Sequence, residues 1–309
     1  MRVLVTGSAG HLGEALVRVL RAEGRNVIGL DILPSPYTDI VGSITDRNVV
    51  REAIAGASAV LHTATLHKPH VESHTRQQFI DTNLTGTLTL LEEAVAAGVS
   101  RFIFTSTTSA FGRALAPAAG APAAWIDEDV TPRPRNIYGA TKVAAEDLCE
   151  LIHRDHGLPV IVLRTSRFFP EEDDRREVRE EFPSANAKVN ELLYRRGDLQ
   201  DMVDAHRCAL ERAPALGFGR YIVSATTPFT REDLVALRSD APAVVARLFP
   251  EYAALYERLG WRMFPEIERV YDSSRARRDL SWTPRWDFAH ALSRLASGLS
   301  PFSDLAAAV

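Results

Sequence analysis

The chain has 309 residues, 46% of them hydrophobic and 25% charged, which is enough for one large core with a smaller one beside it; neither a repeat array nor a small disulfide-stapled scaffold is needed. A formal net charge of -4 gives no electrostatic reason to expect nucleic acid or an anionic membrane as partner. No apolar run approaches a membrane span and the N-terminus enters an apolar strand without a signal peptide, so a cytoplasmic protein is expected; Cys149 and Cys208 stand in no metal or redox spacing and are read as small buried hydrophobes.

Val3-Leu4-Val5 reads as a buried strand that breaks into the turn Thr6-Gly7-Ser8-Ala9-Gly10-His11-Leu12-Gly13 and then a helix from Glu14 to Arg21. Such a turn suits a dinucleotide: Gly7 permits the tight bend, Gly10 lets backbone approach a pyrophosphate, Gly13 lets helix and strand pack, and the helix N-terminus at His11 and Leu12 faces the phosphates. A second strand, Asn26 to Leu30, ends at Asp31, about 20 residues past the glycines, where a carboxylate accepts hydrogen bonds from ribose hydroxyls. It also repels a 2′-phosphate, and no Arg or Lys lies between Asp31 and Asp46, so NAD is favoured over NADP.

Pro34 and Pro36 mark a loop before a short third strand at Ile40-Val41, followed by Ser43 and Ile44 and a helix over 47–55 capped by Asp46. Ala59 to His62 is a fourth strand, and Thr63 and Ala64 at its carboxyl end stand where ligands sit in doubly wound sheets. His62, His67, His70 and His74 lack a Cys or well-spaced carboxylate to complete a metal set, so no metal is assigned; His67, Lys68 and His70 are read as the rim of a substrate pocket. A helix follows Phe79 and ends at Gly98, with Leu84, Leu88, Leu91 and Val95 on its apolar side. Arg101 to Thr105 is a fifth strand, and the hydroxyls of Ser106, Thr107, Thr108 and Ser109 crowd its end. Residues 113–134, rich in Ala and Pro, read as a long loop over the pocket with Trp125 as a wall.

Tyr138 and Lys142 open a long helix running to about Asp155; four residues apart, they share one face, so an ammonium can stabilise a phenolate that is too basic on its own to accept a proton at neutral pH. A sixth strand spans 159–164 and a seventh 219–224; Glu171 to Glu181 is a mixed charge run, and residues 231–259 read as helices of a smaller lobe.

In Thr6-Gly7-x-x-Gly10-x-x-Gly13, Asn83-x-x-Gly86-Thr87, Ser106-Thr107-Thr108-x-x-Phe111-Gly112, Tyr138-x-x-x-Lys142, Asp201-Met202-Val203-x-Ala205-His206 and Asp272 to Pro284, the chain resembles the extended short-chain dehydrogenase/reductases, the NAD-dependent epimerase/dehydratase family. The resemblance implies a doubly wound parallel Rossmann-type α/β sheet: residues 1–165 bind NAD and carry the catalytic set, while 166–309 form mainly a substrate-binding lobe, with the strand at 220–224 returning to the main sheet. It makes Thr107, Tyr138 and Lys142 catalytic, with Lys142 also on the nicotinamide ribose. Gly7, Gly10, His11, Leu12, Gly13, Asp31, Ser43, Ile44, Thr63, Ala64, Asn83 and Thr105 join Tyr138 and Lys142 in holding the cofactor.

His67, Thr107, Thr108, Arg167 and Asn190 are the substrate candidates, with Arg195 and Arg196 in a displaced register of a family motif. Three departures matter. Ser43 stands where many relatives have an acidic residue for the adenine amino group, Phe111 replaces a tyrosine, and Arg167 replaces an asparagine that touches a nucleotide-sugar diphosphate; arginine there suits a carboxylate or phosphate, or pairs with the acidic run Glu171 to Asp174.

The expected activity is hydride transfer at a secondary alcohol of a sugar or sugar-derived molecule, in an epimerase that keeps its NAD or a dehydrogenase that releases NADH. A 4,6-dehydratase is disfavoured because Thr108 and Ser109, not Asp-Glu, follow Thr107. A catalytically idle NAD-binding regulator is the reading from another class, and the resemblance also implies a homodimer packed through the helices at 84–97 and 138–155.

Overall fold

The computed structural model describes residues 1–173 and 176–309. Its strands are β1 (Arg2–Thr6), β2 (Asn26–Asp31), β3 (Ile40–Val41), β4 (Ala59–His62), β5 (Phe102–Thr107), β6 (Ala124–Ile126), β7 (Val160–Thr165), β8 (Phe218–Val223) and β9 (Arg269–Tyr271). Seven of them form one sheet in the order β3-β2-β1-β4-β5-β7-β8, and all its pairings are parallel. Parallel strands buried on both faces need unbroken apolar runs, which is why all seven were legible in sequence.

Helices cover both faces. The His11–Ala22 and Leu199–Leu216 helices pack on one side, around Leu16, Leu20, Met202 and Val203. Arg47–Ile54, Gly86–Ala96 and Ile137–His156 pack on the other, around Val50, Leu90, Leu91 and Cys149. The order reverses between β1 and β4, so the crevice beyond their carboxyl ends is where a dinucleotide belongs.

A separate apolar cluster, including Val189, Leu237, Val245, Ile267 and Phe288, forms the core of the carboxyl-terminal lobe. The expected boundary at 165 is not sharp in space: β8, the Leu199–Leu216 helix and the Ser274–Leu280 helix return to the main sheet, with Trp282 buried in its core.

Three sequence expectations change. The segment at 113–134 is not simply a loop: it begins in a 3-10 helix (Thr108–Leu115) and contains β6, which pairs in parallel with β9. Trp125 therefore faces the lobe, donating to Asp272 and lying under Arg231, and is not a pocket wall. The helix after Phe79 contains a π-helical stretch, Ile80–Thr85, before its regular part, a feature that recurs at functional sites. Cys149 is buried as expected, Cys208 is half-buried, and both are free thiols.

Candidate active site

One cavity of about 780 Å³ runs from the glycine turn past the ends of β2, β4 and β5 to the start of the Ile137–His156 helix. At its first end, Gly7 adopts φ +75°, and a Cβ there would lie 2.7 Å from the Ala64 nitrogen and 2.8 Å from Thr63 Oγ1. At Gly13 a Cβ would meet the Gly7 carbonyl at 1.9 Å, so helix and turn touch only because this residue has no side chain. The Asp31 carboxylate accepts from the Ala9 N–H at 3.0 Å and the Leu33 N–H at 2.9 Å, which fixes it on the cavity wall with further lone pairs to offer.

Ser43 and Ile44 also line this end, Ser43 Oγ lying 2.8 Å from Thr45 Oγ1; Ile44 packs against Gly86. No Lys or Arg stands among the cavity residues from Gly7 to Ala64. Glycine cradle, helix N-terminus and ribose-side carboxylate together fit a dinucleotide without a 2′-phosphate.

The wall between the two ends is fixed by buried polar pairs. Thr63 Oγ1 donates to the Thr6 carbonyl at 2.6 Å. His62, fully buried, has Nδ1 2.8 Å from Thr6 Oγ1 and Nε2 2.9 Å from Thr87 Oγ1; burial holds it well below the usual histidine range, so it is a neutral structural residue. Asn83 is a correction. Its Oδ1 accepts from the Leu66 N–H (2.8 Å) and Thr65 Oγ1 (3.0 Å), and its Nδ2 donates to the Leu66 carbonyl (2.9 Å) and Thr141 Oγ1 (3.1 Å). With every polar atom engaged and no place among the cavity-lining residues, Asn83 ties the loop after β4 to the Tyr138 helix.

At the other end, Asn136 caps the Ile137–His156 helix by accepting from the Gly139 N–H at 3.0 Å, and so sets the position of Tyr138 in its first turn. Tyr138 is buried and lies with Thr107 on the cavity wall; burial raises its pKa to about 12, Thr107 opposing. Lys142 is buried, donates from Nζ to the Thr105 carbonyl at 2.6 Å and lies 4.2 Å from the centre of the Phe104 ring. Burial lowers its pKa to about 7, against the pull of Glu146. The sequence reading passed over Glu146, one turn beyond Lys142. It accepts from Arg164 at 2.7 Å and from Ser106 Oγ at 2.5 Å, locking the helix to β5 and β7. Its spacing from Lys142 was the available signal.

His67, Thr108 and Arg167 line the cavity. Arg167 also has protein partners: it donates to the Glu172 carbonyl, and its side chain lies 3.8 Å from Asp173 and 4.0 Å from Glu191. Asp174, part of the acidic run expected to pair with it, lies outside the described residues. Asn190 is a second correction: it is fully buried in the lobe, accepting from the Tyr256 hydroxyl at 2.8 Å and donating to the Arg262 carbonyl at 2.8 Å, and it has no access to the cavity. Arg195 lines the cavity, whereas Arg196 is buried against Glu191. Phe111, in place of the family's tyrosine, packs among Ile126, Ile222 and Tyr271.

Sequence reasoning missed Phe168 and Phe169, which stack beside His11 and His67 on the cavity wall, and Arg135 at its mouth. Among the described residues, no group of three or more His, Cys, Asp or Glu is arranged to hold a metal ion.

A doubly wound sheet with a glycine cradle at its switch point, and Thr107 and Tyr138 at the other end of the crevice, is the architecture of the short-chain dehydrogenase/reductases. The model of the NAD dependent epimerase/dehydratase family matches residues 3–217, and the chain belongs to that family.

The chain superposes on a short-chain dehydrogenase/reductase superfamily protein from Agrobacterium tumefaciens, solved with bound NAD, with a TM-score of 0.67 and 26% identity over 96% of each chain. It is 34% identical to a dTDP-glucose 4,6-dehydratase of Streptomyces niveus over 193 residues (55% of this chain, 55% of that protein). It is 31% identical to a 3-beta-hydroxysteroid dehydrogenase of Mycolicibacterium neoaurum over 202 residues (61% and 54%). These matches span about half the length of either relative. No helix among the described residues is long and apolar enough to cross a membrane.

Proposed function

We propose that this chain is an NAD-dependent oxidoreductase that moves a hydride at a secondary alcohol of a sugar or sugar-derived substrate. The observation that carries the reading is the placement of Thr107 and Tyr138 in the same crevice as the glycine cradle and Asp31, with Lys142 buried behind them one turn beyond Tyr138 and donating to the Thr105 carbonyl. The cradle, Asp31, Ser43, Ile44, Thr63 and Ala64 hold the cofactor, which when bound supplies the hydride acceptor. Thr107 Oγ1 and Tyr138 Oη hold the substrate hydroxyl between them. Tyr138 Oη takes the hydroxyl proton as the carbinol C–H bond breaks and the C=O bond forms, and the Lys142 ammonium one turn away favours the phenolate that accepts it. That bound set of groups argues against an idle regulator.

An epimerase that retains NAD and acts on a nucleotide sugar is the leading form. Identity to a dTDP-glucose 4,6-dehydratase does not extend to dehydration, since Thr108 and Ser109 stand where that chemistry uses Asp-Glu. A second form, a net dehydrogenase of a small anionic sugar, is favoured by the cavity wall: apart from Asp31, its carboxylate is Glu171, against Lys68, Arg135, Arg167, Arg195 and Arg269. A homodimer through the Gly86–Ala96 and Ile137–His156 helices belongs to the same reading, Leu151 on the latter being exposed.

The test is to denature purified protein, assay released NAD, and then incubate fresh protein with UDP-sugars, free uronates and a 3β-hydroxysteroid while following both NADH and the stereochemistry of the product. Epimer without NADH supports the epimerase, and NADH with a uronate supports the dehydrogenase. Turnover of the steroid alone overturns the sugar reading.

A further inference from the structure

Lys142 has a single hydrogen-bond acceptor among the described residues, the main-chain carbonyl of Thr105. That carbonyl is an open position in the sheet. The Arg101 carbonyl accepts from Val60 on β4, and carbonyls two residues apart along a strand point the same way, so those of 101, 103 and 105 all face β4. The last β4–β5 pair is His62 with Phe104, so at Thr105 the neighbour has ended and the Lys142 ammonium takes the place a strand N–H would fill. On that side the Thr105 peptide has no ladder to hold its angle.

The Thr105 side chain supplies what is missing. Thr105 Oγ1 lies 2.8 Å from Nε2 of His206, whose Nδ1 lies 2.7 Å from the Met202 carbonyl one helical turn earlier. A carbonyl only accepts, so Nδ1 carries the proton, Nε2 is the acceptor, and the Thr105 hydroxyl must donate to it. His206 is fully buried and neutral, its pKa lowered by burial to about 4, so this tautomer persists across the physiological range. Its helix is held in turn from the lobe: the Asp201 carboxylate accepts from the Arg285 and Trp286 N–H groups at 2.9 Å each, and the Trp282 indole donates to the Asp201 carbonyl at 3.1 Å.

We propose that His206 is a positioning residue for the reaction: through the Thr105 hydroxyl it holds the Thr105 carbonyl that orients the Lys142 ammonium toward Tyr138. The inference rests on the hydride-transfer reading for its catalytic meaning, but its physical content is a statement about Lys142 that needs neither cofactor nor substrate. The chain has only three lysines, Lys68, Lys142 and Lys188, so the protein carrying lysine labelled with carbon-13 at Cε gives three resonances, and that of Lys142 is assigned by its absence in Lys142→Arg. Thr105→Val keeps the β-branch and removes the donor; His206→Leu removes the acceptor; Thr105→Ser and His206→Gln keep both.

In folded protein without cofactor, Thr105→Val and His206→Leu should lower the Lys142 titration midpoint by about half a pH unit or more, since an ammonium loses a well-placed acceptor. Thr105→Ser and His206→Gln should restore it. Once a substrate is in hand, the first pair should lose about 5- to 20-fold in kcat/KM with the pH profile moved upward, and the second pair should recover most of it. An unmoved Lys142 midpoint in folded Thr105→Val and His206→Leu overturns the proposal, even if both melt earlier than the parent. Failure of the hydride-transfer reading shows differently, as a shifted lysine in a protein that turns over no alcohol.

Discussion

Tyr138 is a phenol beside Thr107 on the cavity wall with its pKa raised by burial to about 12, and this fixes what its replacement should do. Tyr138→Phe removes the proton acceptor and little volume, so turnover should fall by about a hundredfold or more while NAD affinity, measured by calorimetric titration, changes little; near-normal turnover would remove Tyr138 from the mechanism. Asp31 carries the second residue-scale prediction. Its carboxylate is fixed by two backbone N–H groups on a wall without a cation, so Asp31→Ala should weaken NAD and narrow the gap to NADP. A parent protein that prefers NADP would contradict it. Residues such as these were legible in sequence because their chemistry depends on local spacing: glycines three apart, a tyrosine and a lysine one turn apart. Asn190 and Asn83 misled because an asparagine near a motif looks the same whether it faces a ligand or closes a hydrogen-bond ring inside the core. Only the partners, Tyr256 and Arg262 for one and Leu66 and Thr141 for the other, tell them apart.

At the scale of elements, the seven strands of the main sheet announced themselves as apolar runs, whereas β6 and β9 did not. Three residues of Ala-Trp-Ile make a strand only because Arg269 to Tyr271 arrives alongside from 145 residues further on, a pairing no local window contains. The π-helical stretch at Ile80–Thr85 was hidden for a similar reason. Its sequence keeps helical periodicity, and within it Asn83 bonds both the loop after β4 and Thr141, partners no local window shows. The element should therefore fail if Asn83 is replaced by a residue of like size without polar atoms. Asn83→Leu leaves the Leu66 N–H and carbonyl without their partner, at about 1–3 kcal/mol for each buried group left unsatisfied, and it frees the rim loop. Chemical denaturation should show the loss of stability, and hydrogen exchange should show faster exchange at 64–70 than in the sheet. Unchanged exchange there would mean that the loop is held by something other than Asn83.

Across the whole molecule, the two lobes meet in the Leu199–Leu216 helix, which packs on the sheet by one face, receives the carboxyl-terminal segment at Asp201, and carries His206 toward β5. Buried titratable groups at such a junction make stability depend on pH, and two of them act in opposite directions. Burial raises Asp201 to about 7, from an ordinary 3.8, so the folded chain holds a proton there that the unfolded chain has lost; between those values this group favours folding as pH falls. His206 works the other way. Its pKa is about 4 when folded and 6.5 when unfolded, so between those values the unfolded chain binds the extra proton; the stabilisation is complete above 6.5 and is lost as pH falls toward 4. A shift of that size corresponds to roughly 3 kcal/mol across the window.

Asp201 and the other groups contribute equally to the parent and to His206→Gln, which cannot titrate, so the difference between the two isolates His206. Urea unfolding followed at steps from pH 7.5 to 4.5 should show the parent losing stability faster than His206→Gln on the acid side, with the two curves parallel above pH 7. Parallel curves throughout would mean that His206 takes up its proton at the same pH in the folded and the unfolded chain, so that burial does not keep it neutral and the Thr105 hydroxyl loses its acceptor as pH falls through 6.5.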